Sequence, residues 1–334
     1  ATIAQICERT DLVKLACESM RLTRRGRSWV GLCPFHKEKS PSFYVNPERG
    51  KFQCFGCKEH GSAIDFVMKV EGKTFPEAAR DLAERAGIEV EDNATDAERR
   101  EAGAARKARE DLYGVNALAA TFFELSLRGG PGTPAHVYAP IAAAELARRG
   151  IPLDGPADAT LQAFRIGYAP HGWDGLSAYL QQHGVSPVVS EKLGLVVQRS
   201  GAGHYDRFRH RLMFPVLDTS GRVIAFSGRS LPEPEGQSAP DEKPAKYINS
   251  PESPIYTKGE HLFGLYQARQ SIRVDGTAVL VEGNFDVVSL HARDIGNAVA
   301  PLGTAFTEHQ ARLLKRFADS VTIAFDGDAA GKKA

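Results

Sequence analysis

The chain has 334 residues, 42 Lys and Arg against 41 Asp and Glu, and 42% hydrophobic residues. That apolar content at a net charge of +1 excludes a wholly disordered chain, and no apolar run approaches the roughly 20 residues of a membrane-spanning helix. The length predicts two or three domains, and five cysteines, an odd number, suit a reducing compartment better than a disulfide framework.

In chain order, Ile3 to Glu18 is predicted as one helix, with charges at helical intervals and no signal-peptide stretch. Trp29 to Leu32, Ser42 to Asn46 and Lys51 to Cys54 read as short strands, separated by Pro34, Pro41, Pro47 and Gly50. Ser62 opens a helix with Asp65 at the reciprocal capping position. A second helix, Thr74 to Ala86, stops at Gly87 and closes a unit over residues 1–90. Residues 91–110, rich in Ala, Glu and Arg, read as a linker or a solvated helix. A helix with Leu112, Val115, Leu118, Phe122 and Leu125 opens the second body, and Gly129-Gly-Pro-Gly-Thr-Pro ends it. Short helices follow at Ala142 to Arg149 and ahead of Gly167. Leu212 to Asp218 and Arg222 to Ser227 form a predicted hairpin about Thr219-Ser-Gly, and Pro232 to Pro244 a mobile polar excursion. From Thr277 the rhythm is strand, helix, strand, helix, strand, ending at Asp326, with continuous apolar strands that signal a buried parallel sheet. The fold class is therefore multidomain α+β: a small β-sheet domain with helices, then a mixed α/β domain that ends in a parallel-sheet α/β fold.

Cys33-Pro-Phe-His36, 17 further residues, and Cys54-Phe-Gly-Cys57 give two ligand pairs at tetrahedral zinc spacing. The competing reading is four unrelated buried residues. Four protein ligands leave no open position, so Zn²⁺ here is structural and helps to fold a small unit. Cys7 and Cys17 belong to the first helix as core residues.

Charge is uneven. The first sixty residues hold eleven Lys and Arg against six Asp and Glu. Arg21, Arg24, Arg25 and Arg27 lie beside Trp29, Phe35, Phe43, Tyr44, Phe52 and Phe55, and Arg207, Arg209, Arg211, Arg222 and Arg229 cluster mid-chain. Cations for phosphates and rings for bases are what single-stranded nucleic acid requires; a solvated charged face is the alternative. The nucleic-acid candidates in the first unit are Arg24, Arg25, Arg27, Trp29, Phe43 and Lys51.

Glu282 ends the first strand of the last segment, and Asp326 and Asp328 follow its third. Open parallel sheets gather ligands at these strand ends, and hard carboxylates there suit Mg²⁺ or Mn²⁺. An Asp-Gly-Asp surface turn is the other reading. Asp286 either supports Glu282 or caps a helix.

The zinc pattern within Gly31-Leu-Cys-Pro-Phe-His-Lys-Glu-Lys-Ser-Pro-Ser-Phe, with Phe52-Gln-Cys-Phe-Gly-Cys, resembles the zinc-binding domain of bacterial replicative DNA primases of the DnaG type. Asp206-Arg-Phe-Arg-His-Arg-Leu-Met-Phe-Pro, Gly221-Arg-Val-Ile-Ala-Phe-Ser-Gly-Arg and Pro244-Ala-Lys-Tyr-Ile-Asn-Ser-Pro-Glu resemble that family's catalytic domain. Val281-Glu-Gly-Asn-Phe-Asp, Leu302-Gly-Thr-Ala and Phe325-Asp-Gly-Asp-Ala-Ala-Gly resemble its Toprim fold. The resemblance implies a zinc-binding domain at 1–90, a linker at 91–110, a basic subdomain at 111–270 and a partial Toprim domain at 271–334. It implies an RNA polymerase that makes short primers from ribonucleoside triphosphates on a single-stranded DNA template, leaving an RNA–DNA hybrid. Glu282 would be the active-site glutamate, Asp326 and Asp328 the metal-binding aspartates, with Asp286 beside them. Lys246 and Lys258 would lie near incoming nucleotides or the nascent strand, and Arg207, Arg209 and Arg229 along the template. It implies work in the bacterial cytoplasm, no membrane, and a replicative helicase met only through a C-terminal region that this sequence does not contain. Two departures stand out. Position 284 is Asn where the family has a large aromatic residue, and the sequence stops at Ala334, six residues beyond Asp328, so a fragment is expected. The other readings are a non-catalytic zinc-dependent single-strand-binding module and another Toprim enzyme, a topoisomerase or nuclease. Tyr247 and Tyr256 are available for strand cleavage, but their flanks do not resemble a cleavage domain.

Overall fold

The computed structural model describes residues 2–36, 38–88, 96–236, 244–303 and 305–325. The predicted N-terminal helix is two, α1 (Thr2–Arg9) and α2 (Leu12–Cys17). Asp11 breaks it: its backbone is extended and its carboxylate accepts from the backbone N–H of Val13 and Lys14 at 3.0 and 3.1 Å, capping a new helix. Five antiparallel strands follow in sequential order: β1 (Thr23–Arg25), β2 (Ser28–Gly31), β3 (Phe43–Asn46), β4 (Lys51–Cys54) and β5 (His60–Gly61). The sequence marks β1 only as a basic cluster; Gly26, at φ +64°, makes the two-residue turn that pairs it with β2. α3 (Ala63–Glu71) starts with the expected box, Ser62 N–H donating to Asp65 at 2.7 Å. α4 (Phe75–Arg85) repeats the device with Thr74 and Glu77.

α5 (Asp96–Arg128) runs through the stretch that reads as linker or solvated helix, and Gly103 and residues 107–110 on it are exposed. Residues 91–95 of that stretch lie outside the described residues. The buried seam of α5 is Leu112, Val115, Ala119, Phe123 and Leu127, while Leu118, Phe122 and Leu125 are half-buried. The four-residue steps from Val115 to Leu127 keep the buried residues on one side of a 3.6-residue helix.

Next come α6 (Ala139–Arg148), α7 (Asp158–Ala163), β6 (Gly167–Ala169), α8 (Gly175–Gln182), α9 (Pro187–Lys192), β7 (Val196–Gln198) and β8 (His204–Asp206). The predicted hairpin is β9 (Arg211–Leu217) with β10 (Val223–Ser230), joined by β11 (Tyr247–Asn249) in an antiparallel sheet ordered β11-β10-β9-β6. Residues 237–243 of the Pro-rich excursion lie outside the described residues. α10 (Leu265–Asp275), β12 (Thr277–Val281), α11 (Asn284–His291), β13 (Ala298–Val299), α12 (Glu308–Leu314) and β14 (Ser320–Ala324) follow. Their sheet is ordered β13-β12-β14, and β12 runs parallel to β13. Buried strands are expected throughout, yet all five residues of β14 are exposed; it forms an edge of this sheet.

The chain divides into two compact units. One takes the described residues up to 99 with Arg269–Ala278 and Leu314–Val321, and centres on Ile6, Leu12, Phe43, Phe52, Phe66 and Leu82. Within it Arg316 pairs with Glu77 at 2.8 Å. The other takes Arg100–Ala268, Val279–Leu313 and the described residues after 321. Its two apolar clusters gather about Phe164, Phe214 and Phe263, and about Phe123, Phe208 and Phe226. Among the described residues no helix is long and apolar enough to cross a membrane.

Candidate metal centre and nucleic-acid interface

Gly31 on β2 pairs with Phe43 on β3, which pairs with Cys54 on β4. This register brings the turn after β2 alongside the turn after β4. Ligand atoms of Cys33, His36, Cys54 and Cys57 all lie within 4.8 Å of one another. Cys33 Sγ stands 3.8 Å from Cys57 Sγ, and Cys54 Sγ stands 3.8 Å from His36 Nδ1. Three sulfurs and one imidazole suit Zn²⁺. Gly56 fits against the ring because a Cβ there would meet His36 Nε2 at 2.5 Å. Burial pushes the Cys33 thiol up. At Cys54 burial acts the same way, but hydrogen bonding led by Ser42 outweighs it and the thiol is lowered. Glu38, inside the zinc pattern but given no role in the sequence reading, sits behind the ligands; burial raises its carboxyl, and the Ser42 and Cys33 donors more than reverse that. Cys7 is half-buried against the core, whereas Cys17 is exposed rather than a core residue.

The aromatic candidates of this unit separate by strand face. Phe43 is fully buried and stacks on Phe52 at 5.2 Å, so it is core and offers no face to a base. Trp29 lies opposite Val45 and packs half-buried on the same core. Successive residues on a strand alternate sides, so Tyr44 points the other way, edge-on to Phe55 at 5.1 Å; Phe55 is 54% exposed. Arg24, Arg25, Arg27 and Lys51 are all exposed.

The five mid-chain arginines also divide. Arg211 is 6% exposed, donates to the carbonyls of Gly228 and Ala245 at 3.0 and 2.9 Å, and burial pushes its pKa down to about 10. Arg222 pairs with Asp218 and Glu110. Arg229 pairs with Glu145 at 3.2 Å, donates to the Tyr247 hydroxyl at 3.0 Å and lies over Phe285, so its charge is committed inside the fold. Arg207 and Arg209 line a cleft of about 420 Å³ with His171, Trp173 and Glu233, and the buried Arg211 forms part of its wall. The Arg209 guanidinium lies 4.3 Å over the Trp173 ring and 5.1 Å from that of Tyr205, and Trp173 is 58% exposed. No motif marks Trp173 in the sequence; Asp206 N–H donating to its carbonyl at 2.7 Å brings the two segments together.

Glu282 is exposed at the C-terminal end of β12 and borders a cavity of about 150 Å³ with Ser227, Tyr247, Asn249, Asn284 and Gly303. Asp286 Oδ2 lies 3.0 Å from where a Cβ on Gly283 would stand, folded back over the first turn of α11. Asp326 and Asp328 lie outside the described residues. Lys246 is exposed. Lys258 lies on a 3₁₀ turn (Lys258–Glu260) that Gln310 grips: the fully buried Gln310 amide donates to the carbonyls of Lys258 and His261 at 3.1 and 2.7 Å.

Family models match in the same order: a CHC2 zinc finger at residues 1–98, the N-terminal domain of the DNA primase catalytic core at 145–269 and a Toprim domain at 276–334. The crystal structure of the Aquifex aeolicus primase, comprising zinc-binding and RNA polymerase domains, is 34% identical, covers 100% of this chain and 74% of that one, and aligns with a TM-score of 0.58. The chain belongs to the bacterial DNA primase family. A curated DNA primase of Synechococcus elongatus is 42% identical over 100% of this chain and 46% of its own length. The chain thus spans about half the length of the curated primases it matches. A DnaG primase catalytic domain solved bound to ssDNA is 38% identical, covers 68% of this chain and 64% of that one, with a TM-score of 0.55. Asn284, where the resemblance leads one to expect an aromatic residue, is 6% exposed as the first residue of α11 and borders the Glu282 cavity.

Proposed function

We propose that this chain carries the template-binding and nucleotidyl-transfer machinery of a DNA primase, which joins ribonucleoside triphosphates into short RNA on single-stranded DNA in the bacterial cytoplasm. The observation that carries the reading is Glu282 at the open end of β12, beside a cavity walled by strands β10 and β11 of the basic sheet. Arg207 and Arg209 would pair with template phosphates while Trp173 and Tyr205 stack on bases. Tyr44, Phe55, Arg25 and Lys51 would offer a second such face on the zinc-binding unit. Lys246 and Lys258 would bind the phosphates of the incoming nucleotide or the nascent strand, Lys258 being held in place by Gln310.

Cys33, His36, Cys54 and Cys57 would hold a structural Zn²⁺. Glu282 with Asp326 and Asp328 would hold Mg²⁺ or Mn²⁺; a purely carboxylate donor set suits such hard cations, which would supply charge neutralisation at the triphosphate. Domain limits at 90, 110 and 270, the RNA–DNA hybrid product and a helicase met through a further C-terminal region belong to the same reading.

The test is template-dependent ribonucleotide incorporation by the full-length protein that carries this sequence, with Mg²⁺ or Mn²⁺, alongside single-strand binding. Glu282→Gln is expected to lower incorporation by about 100-fold or more and to leave binding within about twofold. Undiminished incorporation by Glu282→Gln refutes the assignment. Binding without incorporation in the wild type would leave only the single-strand-binding module.

A further inference from the structure

Glu38 contacts three of the four metal-ligand residues, directly or through one hydroxyl. Its Oε1 accepts from the backbone N–H of Cys33 at 2.7 Å and of Ser42 at 3.0 Å. Its Oε2 accepts from the Ser42 hydroxyl and lies 3.3 Å from His36 Nε2. The same hydroxyl oxygen stands 3.2 Å from Cys54 Sγ. The carboxylate side chain is only 11% exposed.

A neutral imidazole has one N–H and one lone pair, and a carboxylate can only accept. A hydrogen on Nε2, the nitrogen 3.3 Å from the Glu38 acceptor, leaves Nδ1 as the lone-pair atom. Nδ1 is also the ring atom on the cysteine side, 3.8 Å from Cys54 Sγ. The ring orientation favours that tautomer.

We infer that Glu38 is the positioning residue of the metal centre. It fixes His36 as the Nε2–H tautomer so that Nδ1 binds the metal, it orients the Cys33 turn through the backbone, and it orients Cys54 through Ser42. Outer partners of this kind tune metal affinity by about 10–100-fold. The inference rests on the zinc reading above, and its test keeps the two apart.

Zinc affinity is measured on the whole chain by competition with a chromophoric chelator, and the His36 ring is examined by ¹⁵N NMR in the zinc-loaded protein. The wild type is expected to bind one zinc, with the metal on Nδ1 and the proton on Nε2. Glu38→Gln keeps the size and one acceptor oxygen but cannot accept at every position. It should bind zinc about 10–100-fold more weakly, and Glu38→Asp should recover part of that loss. Zinc bound through Nε2, or Glu38→Gln within about twofold of wild type, overturns the inference. A wild type that binds no zinc defeats the metal reading itself. The wild-type spectrum needs no substitution, so the tautomer is decided even if a variant fails to fold.

Discussion

Phe43 and Tyr44 are neighbours on β3 that face opposite ways, and truncating each in turn tests the partition between core and interface. Phe43 is fully buried, with ring centres of Phe52, Phe35 and Phe66 at 5.2, 5.7 and 6.1 Å. A buried aromatic side chain removes about 150–250 Å² from water, which at about 25 cal/mol/Å² is roughly 4–6 kcal/mol. Measured truncations of buried Phe to Ala cost about 3–5 kcal/mol, so the two ranges overlap. The assay is urea unfolding of the zinc-loaded chain in a Trp173→Phe background. The chain has two tryptophans, so Trp29, packed on the same core, becomes the sole reporter. Phe43→Ala should cost about 3–5 kcal/mol, and Tyr44→Ala under about 1 kcal/mol. With Trp173 retained, Tyr44→Ala should instead weaken single-strand binding by about 1–3 kcal/mol, the worth of one stacked base. If Phe43→Ala leaves stability intact and weakens only DNA binding, the assignment of faces on this sheet is wrong.

Arg209→Ala should reduce the salt dependence of single-strand binding by about one phosphate contact. Arg211→Met should leave that slope unchanged and destabilise the fold by about 1–3 kcal/mol, because two carbonyls lose their donor; the reverse pattern would reassign the two arginines. Burial raises the Asp206 carboxyl to about 6 from 3.8, although it caps α8 by accepting from Leu176 and Ser177 N–H. A raised folded-state pKa gives stability that is full below about pH 4 and is lost as pH rises through about 6, here about 3 kcal/mol. The stability difference between wild type and Asp206→Asn should therefore change over that window; parallel pH profiles would show that burial does not govern this carboxyl.

What is legible in the sequence is mostly local. The Ser62 and Asp65 box needs only a three-residue spacing, and the metal ligands need two short turns. The β9–β10 hairpin announces itself through one turn and two apolar runs. The partners of Arg211 and Arg229 are not local: Gly228, Ala245 and Glu145 lie 17, 34 and 84 residues away. Composition therefore displays five arginines as one basic tract, while folding buries Arg211 and pairs Arg222 and Arg229 with carboxylates. Phe43 misleads for a related reason. A ring beside cations reads as a stacking platform, but the side it takes depends on the register of β3 against β2 and β4. Asp11 is the opposite case: the residue that splits the first helix is in plain view, and helical charge spacing on both sides of it conceals the cap.

The metal centre also changes how the charge of the first sixty residues should be counted. Eleven cations against six anions leave a surplus of five. Three cysteine thiolates and one divalent ion subtract a single unit from it when the centre fills. Loading with zinc therefore slightly disfavours attraction to a polyanion. Any gain in nucleic-acid affinity on loading must come from shape, by holding Tyr44, Phe55 and Lys51 on one fixed surface. Such a gain would persist at high salt, where attraction between exposed charges is screened.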